Sequence, residues 1–201
     1  VVFHQAALGS VPRSLESPVA TDFANTDGTV CVLEAARREG VERVVIASSS
    51  SVYGGIASVP TSEQAALHPR SPYAASKAAA ESYGRVFSEL FDLEVVILRY
   101  FNVFGPRQRA DSAYAAVIPR WIAAASAGDP LVINGDPTIT RDFTFVTDVV
   151  AANLAAASAP GFFSSEEFSA GAALSAAATR TTHIMRVIRF TIPPERTRPL
   201  G

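Results

Sequence analysis

The chain has 201 residues, of which 48% are apolar and 18% charged, with a formal net charge of −2. That length can enclose one real core, and the near-neutral balance excludes a polybasic nucleic-acid binder and an acidic tail protein. One cysteine, Cys31, excludes a disulfide framework and a cysteine-rich zinc site, and fits a reducing compartment.

The sequence has no apolar run of membrane-spanning length and no charged leader, so a cytoplasmic protein without membrane or nucleic-acid partners is expected. In chain order, residues 1–7 (VVFHQAA) read as a buried strand, and 18–40 as a helix with Val30, Leu33 and Ala36 on one face and a glycine stop. Residues 43–47 (RVVIA) form a second strand. Ser71-Pro72 then opens a helix running to about Leu90, Ser71 as N-cap and Pro72 in the first helical position. Residues 94–99 (EVVILR) give a third strand, 115–127 a helix and 131–133 a short strand. Residues 143–146 lead into a last helix near 147–158.

Strands apolar on both faces, separated by helices, require a parallel sheet covered on both sides. The expected fold is therefore α/β and doubly wound, with ligands at the carboxyl ends of the strands. From about Ser164 the rhythm dissolves into Ala, Ser and Thr, then into an Arg-bearing stretch with Pro193, Pro194 and Pro199. Residues 164–201 are expected to be irregular, and a change of reading frame is one origin the sequence allows.

The cations are sixteen arginines and a single lysine, Lys77. A composition that favours Arg so strongly makes a surviving Lys informative, because a compact ammonium on a flexible stem is not interchangeable with a guanidinium. Lys77 lies four residues after Tyr73 on the helix opened by Ser71, which puts both side chains on one face. A nearby ammonium favours the phenolate and lowers the phenol's ordinary value near ~10. Tyr73 thereby becomes a usable base. The run Ser48-Ser49-Ser50-Ser51 follows the RVVIA strand at its carboxyl end, and Ser, Tyr and Lys so placed form a proton-transfer set. His4, His68 and His183 are scattered without metal-ligand spacing, so no metal is expected. Asp142 reads as a turn residue, Asp148 as a helix-start residue, and Trp121 as packing.

The segments HQAALGSVPRS (4–14), SSSSVYG (48–54), SPYAASK (71–77), LRYFNVFGPRQ (98–108), YAAVIPRW (114–121), INGD (133–136) and TRDFTFVTDVV (140–150) resemble the extended short-chain dehydrogenase/reductases. They are most similar to the NAD-dependent nucleotide-sugar epimerases and dehydratases, in particular those that act on UDP-N-acetylglucosamine. The resemblance implies a catalytic set of Ser49, Tyr73 and Lys77, with Tyr73 taking the proton of a sugar 4-OH during transient oxidation to a 4-keto intermediate. It places Ala6, Ala7, Asn25, Tyr73, Lys77 and Tyr100 at NAD. Asn102 and Arg141 fall where relatives grip the diphosphate, and Ala116, Val117, Val132 and Asn134 at the uridine. Gly9, Ser10, Ser50 and Ser51 fall at the sugar, where small side chains leave room for an acetamido group. Dehydratase relatives carry Asp-Glu where this chain has Ser50-Ser51, which disfavours elimination.

By this resemblance residues 1–110 are the later part of a Rossmann-type NAD domain, and 111–163 mix substrate-domain and returning Rossmann segments. None of the twelve glycines makes the family's Gly-x-x-Gly-x-x-Gly turn. The chain is therefore expected to lack the first strands of the sheet, to expose residues 1–7 as an edge, and to be inactive by itself. A homodimer is expected of the full-length family. Two alternatives stand beside the epimerase: another sugar-nucleotide oxidoreductase of the family, such as a reductase or decarboxylase, and a non-catalytic remnant that binds a nucleotide sugar.

Overall fold

The computed structural model describes residues 1–158 except 56, 58–59, 112–114, 134–135 and 139. The expected irregular stretch 164–201 and the uridine candidate Asn134 lie outside the described residues. Among the described residues no helix is long and apolar enough to cross a membrane.

Three strands build the main sheet: β1 (Val2–His4), β2 (Arg43–Ser49) and β3 (Glu94–Tyr100), parallel and in that order. The register sets His4 opposite Ile46 and Ser49 opposite Tyr100, so β2 and β3 end level with each other. β2 is buried from Arg43 to Ser48, as its β-branched residues on both faces require. Side chains alternate across the sheet. Val44, Ile46 and Val95 face α3 (Gly28–Arg38) and α4 (Pro72–Leu90), where Leu33, Ala36 and Phe87 close a core. Val45 and Leu98 face the opposite side, where Ala156 of α6 (Val146–Ser158) packs on them.

Two local features bring the helices down onto the sheet. At Gly84, in the middle of α4, an added Cβ would stand 3.1 Å from Val95 Cγ1 and 3.3 Å from Ile46 Cδ1. The glycine costs helix propensity but lets α4 lie close over β2 and β3. Arg43, at the start of β2, clamps α6: Nη1 donates to the carbonyls of Ala156 and Ala157 at 2.9 Å each, and Nε to Glu94 at 2.6 Å. These carbonyls are orphan acceptors of a helix C-terminus, where a cation is favoured.

Several elements differ from expectation. β1 stops at His4, so Ala6 and Ala7 lie in an exposed loop rather than a strand. Val1 and Phe3 are exposed, and β1 is paired on one side among the described residues, as expected of an edge. A short helix, α1 (Val11–Glu16), precedes the expected one. The stretch read as one helix is α2 (Pro18–Asp22) and α3 joined by a π-helical turn, Phe23–Asp27. Residues 131–133 are not a strand; Leu131 and Val132 are exposed, and the Val132 carbonyl accepts from the Trp121 indole at 2.9 Å. A two-stranded parallel sheet of β4 (Val103–Phe104) and β5 (Thr144–Phe145) forms instead. α5 (Val117–Ala127) is not packed extensively on either sheet.

Candidate active site

The carboxyl end of β2 is where the sequence's chemistry converges. Ser71 caps α4, its Oγ accepting from the Ala74 amide at 3.1 Å, and this fixes where the helix begins. Tyr73 and Lys77 then fall one turn apart on the face turned toward β2. Lys77 is buried, and its Nζ donates to the Ala47 carbonyl at 2.8 Å. Ser49 lies close enough to the Tyr73 phenol to oppose the rise that burial imposes on it. The three expected catalytic groups therefore share one place.

The serine loop explains which way the Ser49 hydroxyl points. A short 3₁₀ turn, Ser50–Tyr53, follows β2, and Ser49 Oγ accepts from the Ser51 amide at 3.2 Å and from Ser51 Oγ at 2.9 Å. Those two bonds use the oxygen's two acceptor positions. Its own proton is left for Tyr73. Gly54 closes the turn at φ +66°, where a Cβ would stand 2.0 Å from the His68 carbonyl oxygen, so only glycine fits.

Burial is the first influence on both ionisable groups. Burial pushes the Tyr73 phenol above its ordinary value, and the group that opposes this is Ser49. The Lys77 ammonium is held on the strand carbonyl, and burial pushes its own pKa down. The Lys77 charge does act on His4, which burial and that charge together hold below 6.5. Ser49 is in place to favour the phenolate.

Other expected residues sort differently. Asn25 is buried in the π turn; its Oδ1 accepts from the Leu8 amide at 2.7 Å, and its Nδ2 donates to Ser76 Oγ at 3.0 Å and the Leu8 carbonyl at 3.3 Å. Its side chain holds the loop that carries Ala6, Ala7 and Gly9, with both amide protons used and one acceptor position of Oδ1 remaining. Ser10 Oγ caps α1 through the Arg13 amide at 3.2 Å. Ser51 is spent on Ser49, while Ser50 stands half-buried beside it. Tyr100 closes a ring at the strand ends: its hydroxyl donates to Gln5 Oε1 at 3.1 Å and accepts from Asn153 Nδ2 at 2.7 Å, while Gln5 Nε2 reaches Asn153 Oδ1 at 3.1 Å.

Asn102 and Arg141 are exposed: Asn102 Nδ2 donates across 40 residues of sequence to the Asp142 carbonyl at 2.7 Å, and Arg141 Nη1 to the neighbouring Thr140 carbonyl at 2.9 Å. Ala116 and Val117 are exposed where α5 begins, and Val132 lines a cavity of about 170 Å³ with Trp121 and Arg120. That cavity contains none of the catalytic candidates, so these residues are not brought together with Tyr73.

A profile of the NAD-dependent epimerase/dehydratase family matches residues 1–171. The chain belongs to that family. It is 44% identical over 153 residues to a UDP-glucose 4-epimerase of Mycolicibacterium smegmatis, covering 76% of this chain and 49% of that protein. It is 42% identical over 162 residues to a UDP-N-acetyl-alpha-D-glucosaminuronate decarboxylase of Bacillus cytotoxicus, covering 78% of this chain and 49% of that protein. A solved UDP-N-acetylglucosamine 4-epimerase from Methanobrevibacter ruminantium M1 superposes with a TM-score of 0.76 at 44% identity, over 78% of this chain and 50% of that one. The chain spans about half the length of the curated relatives it matches.

For a member of this family, the donor set at the strand ends suits one part of NAD. A buried ammonium and a phenol on one helix face can hold a ribose diol, and the small, exposed Ala6 and Ala7 leave the loop after β1 open to a flat ring. No glycine turn of the dinucleotide kind occurs in the chain, so no residue here is assigned to the pyrophosphate.

One functional cluster was not expected at all: Glu81, Arg99, Ser48 and Tyr53, joined behind the serine loop. Its signals were present in the sequence. Glu81 continues the spacing of Tyr73 and Lys77 by four more residues, and Arg99 ends an otherwise apolar strand.

Proposed function

We propose that this chain supplies the catalytic residues of a sugar-nucleotide C4 epimerase acting on UDP-GlcNAc and UDP-GalNAc or on UDP-Glc and UDP-Gal. Residues 1–110 would form part of its NAD-binding domain. The observation that carries the reading is the meeting of Ser49, Tyr73 and Lys77 at the end of β2. Tyr73 accepts the proton of the sugar 4-OH. Ser49, oriented by Ser51, steadies the phenolate and the same hydroxyl. Lys77, and with it the loop of Ala6 and Ala7, holds the nicotinamide-ribose end of NAD, and Tyr100 borders it. When bound, NAD supplies the reversible hydride acceptor that the protein itself lacks.

The residues after Ser49 favour epimerisation over dehydration. Ser50 and Ser51 are neutral at working pH, and neither can serve as the carboxyl acid or carboxylate base that a 4,6-elimination needs. Asn102 and Arg141 are assigned to the diphosphate, Arg141 by charge-assisted bonds. Ala116, Val117, Val132 and Asn134 are assigned to the uridine, and Gly9, Ser10, Ser50 and Ser51 to the sugar.

The reading is tested by a chimera in which this chain's residues 1–158, through the end of α6, replace the matching segment of the mycobacterial relative. With UDP-GlcNAc and with UDP-Glc, product analysis should give the 4-epimers with no net consumption of NAD. Release of CO₂ from a UDP-uronate, or a 4-keto-6-deoxy product, would assign the chain to a different reaction.

We also propose a homodimer. Leu15, Val19 and Phe23 are spaced by four and are 66%, 80% and 68% exposed, and Tyr83, Val86 and Leu90 form a second exposed apolar stripe on α4. Val19, Phe23, Pro72 and Ala75 line a shallow groove of about 440 Å³ on this side. Sedimentation equilibrium should show a dimer that Val19→Glu/Phe23→Glu converts to monomer.

A further inference from the structure

The row that carries Tyr73 and Lys77 on α4 does not stop there. Glu81, one turn further on, is buried, and its carboxylate accepts from Ser48 Oγ at 2.5 Å. Two successive residues of the β2 end are thus each held by one residue of a single helical row, Ala47 by Lys77 and Ser48 by Glu81, and the next, Ser49, lies near the Tyr73 phenol of the same row. Glu81 in turn takes a two-point grip from Arg99 at the end of β3, Nε to Oε1 at 2.9 Å and Nη2 to Oε2 at 2.7 Å. Arg99 also reaches the far end of the serine loop. Its Nη1 donates to the Tyr53 hydroxyl at 2.8 Å, and its guanidinium stands 4.9 Å from the centre of the Tyr53 ring.

One ion pair therefore holds both ends of the loop whose middle contains Ser49 and Ser51. Ser48 is gripped where the chain leaves the sheet and Tyr53 where the turn closes. Ser48 and Tyr53 are themselves buried. A buried pair is a poor device for stability, since apolar residues of like volume commonly serve as well or better. Directional, charge-assisted bonds are instead suited to fixing a neighbour's orientation. We propose that Glu81 and Arg99 are positioning residues that hold the serine loop so that Ser49 stays on Tyr73. The inference rests on the reading of Ser49 and Tyr73 as the proton-transfer pair.

The test uses the full chain labelled with ζ-¹³C tyrosine. It has five tyrosines, and Tyr73→Phe assigns the resonance of interest at neutral pH. Ser49→Ala gives the reference shift for a Tyr73 that has lost its serine. Ser48→Ala/Tyr53→Phe leaves the ion pair intact and removes only its two bonds to the loop. Glu81→Leu/Arg99→Met removes the buried charges together and leaves only the solvent-exposed Arg85 without its Glu81 partner, so its unfolding midpoint is expected near the parent's. Both double variants should reproduce most of the Ser49→Ala shift while remaining folded by circular dichroism. A Tyr73 resonance that moves in Ser49→Ala but stays in place in the folded double variants overturns the positioning role and leaves the catalytic reading standing. A resonance indifferent to Ser49→Ala overturns the Ser49–Tyr73 pairing itself, and the positioning role with it.

Discussion

Replacing Asn25 by alanine tests the link between the π turn and the cofactor-side loop. The side chain is buried and makes three bonds: 2.7 Å from the Leu8 amide, 3.0 Å to Ser76 Oγ and 3.3 Å to the Leu8 carbonyl. A neutral hydrogen bond contributes roughly 0.5–1.5 kcal/mol net, and a buried group left without its partner costs about 1–3 kcal/mol. The long bond to the Leu8 carbonyl belongs at the low end. Leu8 is half-buried, so water can satisfy part of what is lost, whereas Ser76 is enclosed. Together these give about 3 kcal/mol. With a urea m-value of about 2 kcal/mol/M, the midpoint should fall by about 1.5 M. Urea denaturation by circular dichroism measures that shift, and amide exchange at Leu8 should accelerate along with it. A loss below about 1 kcal/mol, with Leu8 exchange unchanged, would refute the argument that this side chain holds the loop.

Three further outcomes follow from single contacts. Lys77→Arg should destabilise the chain by about 1–3 kcal/mol, because a longer, forked cation must enter a buried site shaped for an ammonium on the Ala47 carbonyl; in the chimera, calorimetry should show weakened NAD binding as well, and parent-like stability and binding would count against the assignment. Gly54→Ala should cost about 2–3 kcal/mol, from the left-handed backbone and the clash with the His68 carbonyl; a thermal midpoint equal to the parent's would contradict it. His4 has its folded pKa depressed below 6.5 by burial first and the Lys77 charge second, so the folded state binds fewer protons than the unfolded. Its contribution is present above pH 6.5 and lost as pH falls through the folded value. The urea midpoint should therefore drop more in the parent than in His4→Gln on going from pH 7 to pH 5, and parallel curves would refute the assignment.

The sheet was legible because its signals are local. RVVIA and EVVILR carry β-branched residues on both faces, and such a strand is stable only when covered twice. The start of α4 was legible for the same reason: Ser71 and Pro72 satisfy the first turn from within their own segment. Periodicity could not show the π turn at Asn25, since a single inserted residue disappears in a helical average. Residues 131–133 carry the right residue types for a strand but find no partner strand, and the Val132 carbonyl is taken by Trp121 instead. The candidates Tyr73 and Lys77 were read from spacing along one helix, and Ser49 from the serine run that follows β2. The burial of the phenol and of the ammonium was not legible, because both depend on how α4 packs over the end of β2. The Glu81–Arg99 pair was hidden for a related reason: a buried charge announces that it needs a partner without naming it.

The most direct measurement is the epimerisation rate of the chimera carrying Tyr73→Phe, with binding of the UDP-sugar followed in parallel. The account predicts a kcat lower by about 10²–10⁴, the usual contribution of a positioned acid–base group, with sugar-nucleotide affinity nearly unchanged. A phenylalanine variant that turns over at the parent rate would contradict it, because the proton of the 4-OH would then have to leave by a route that does not involve Tyr73.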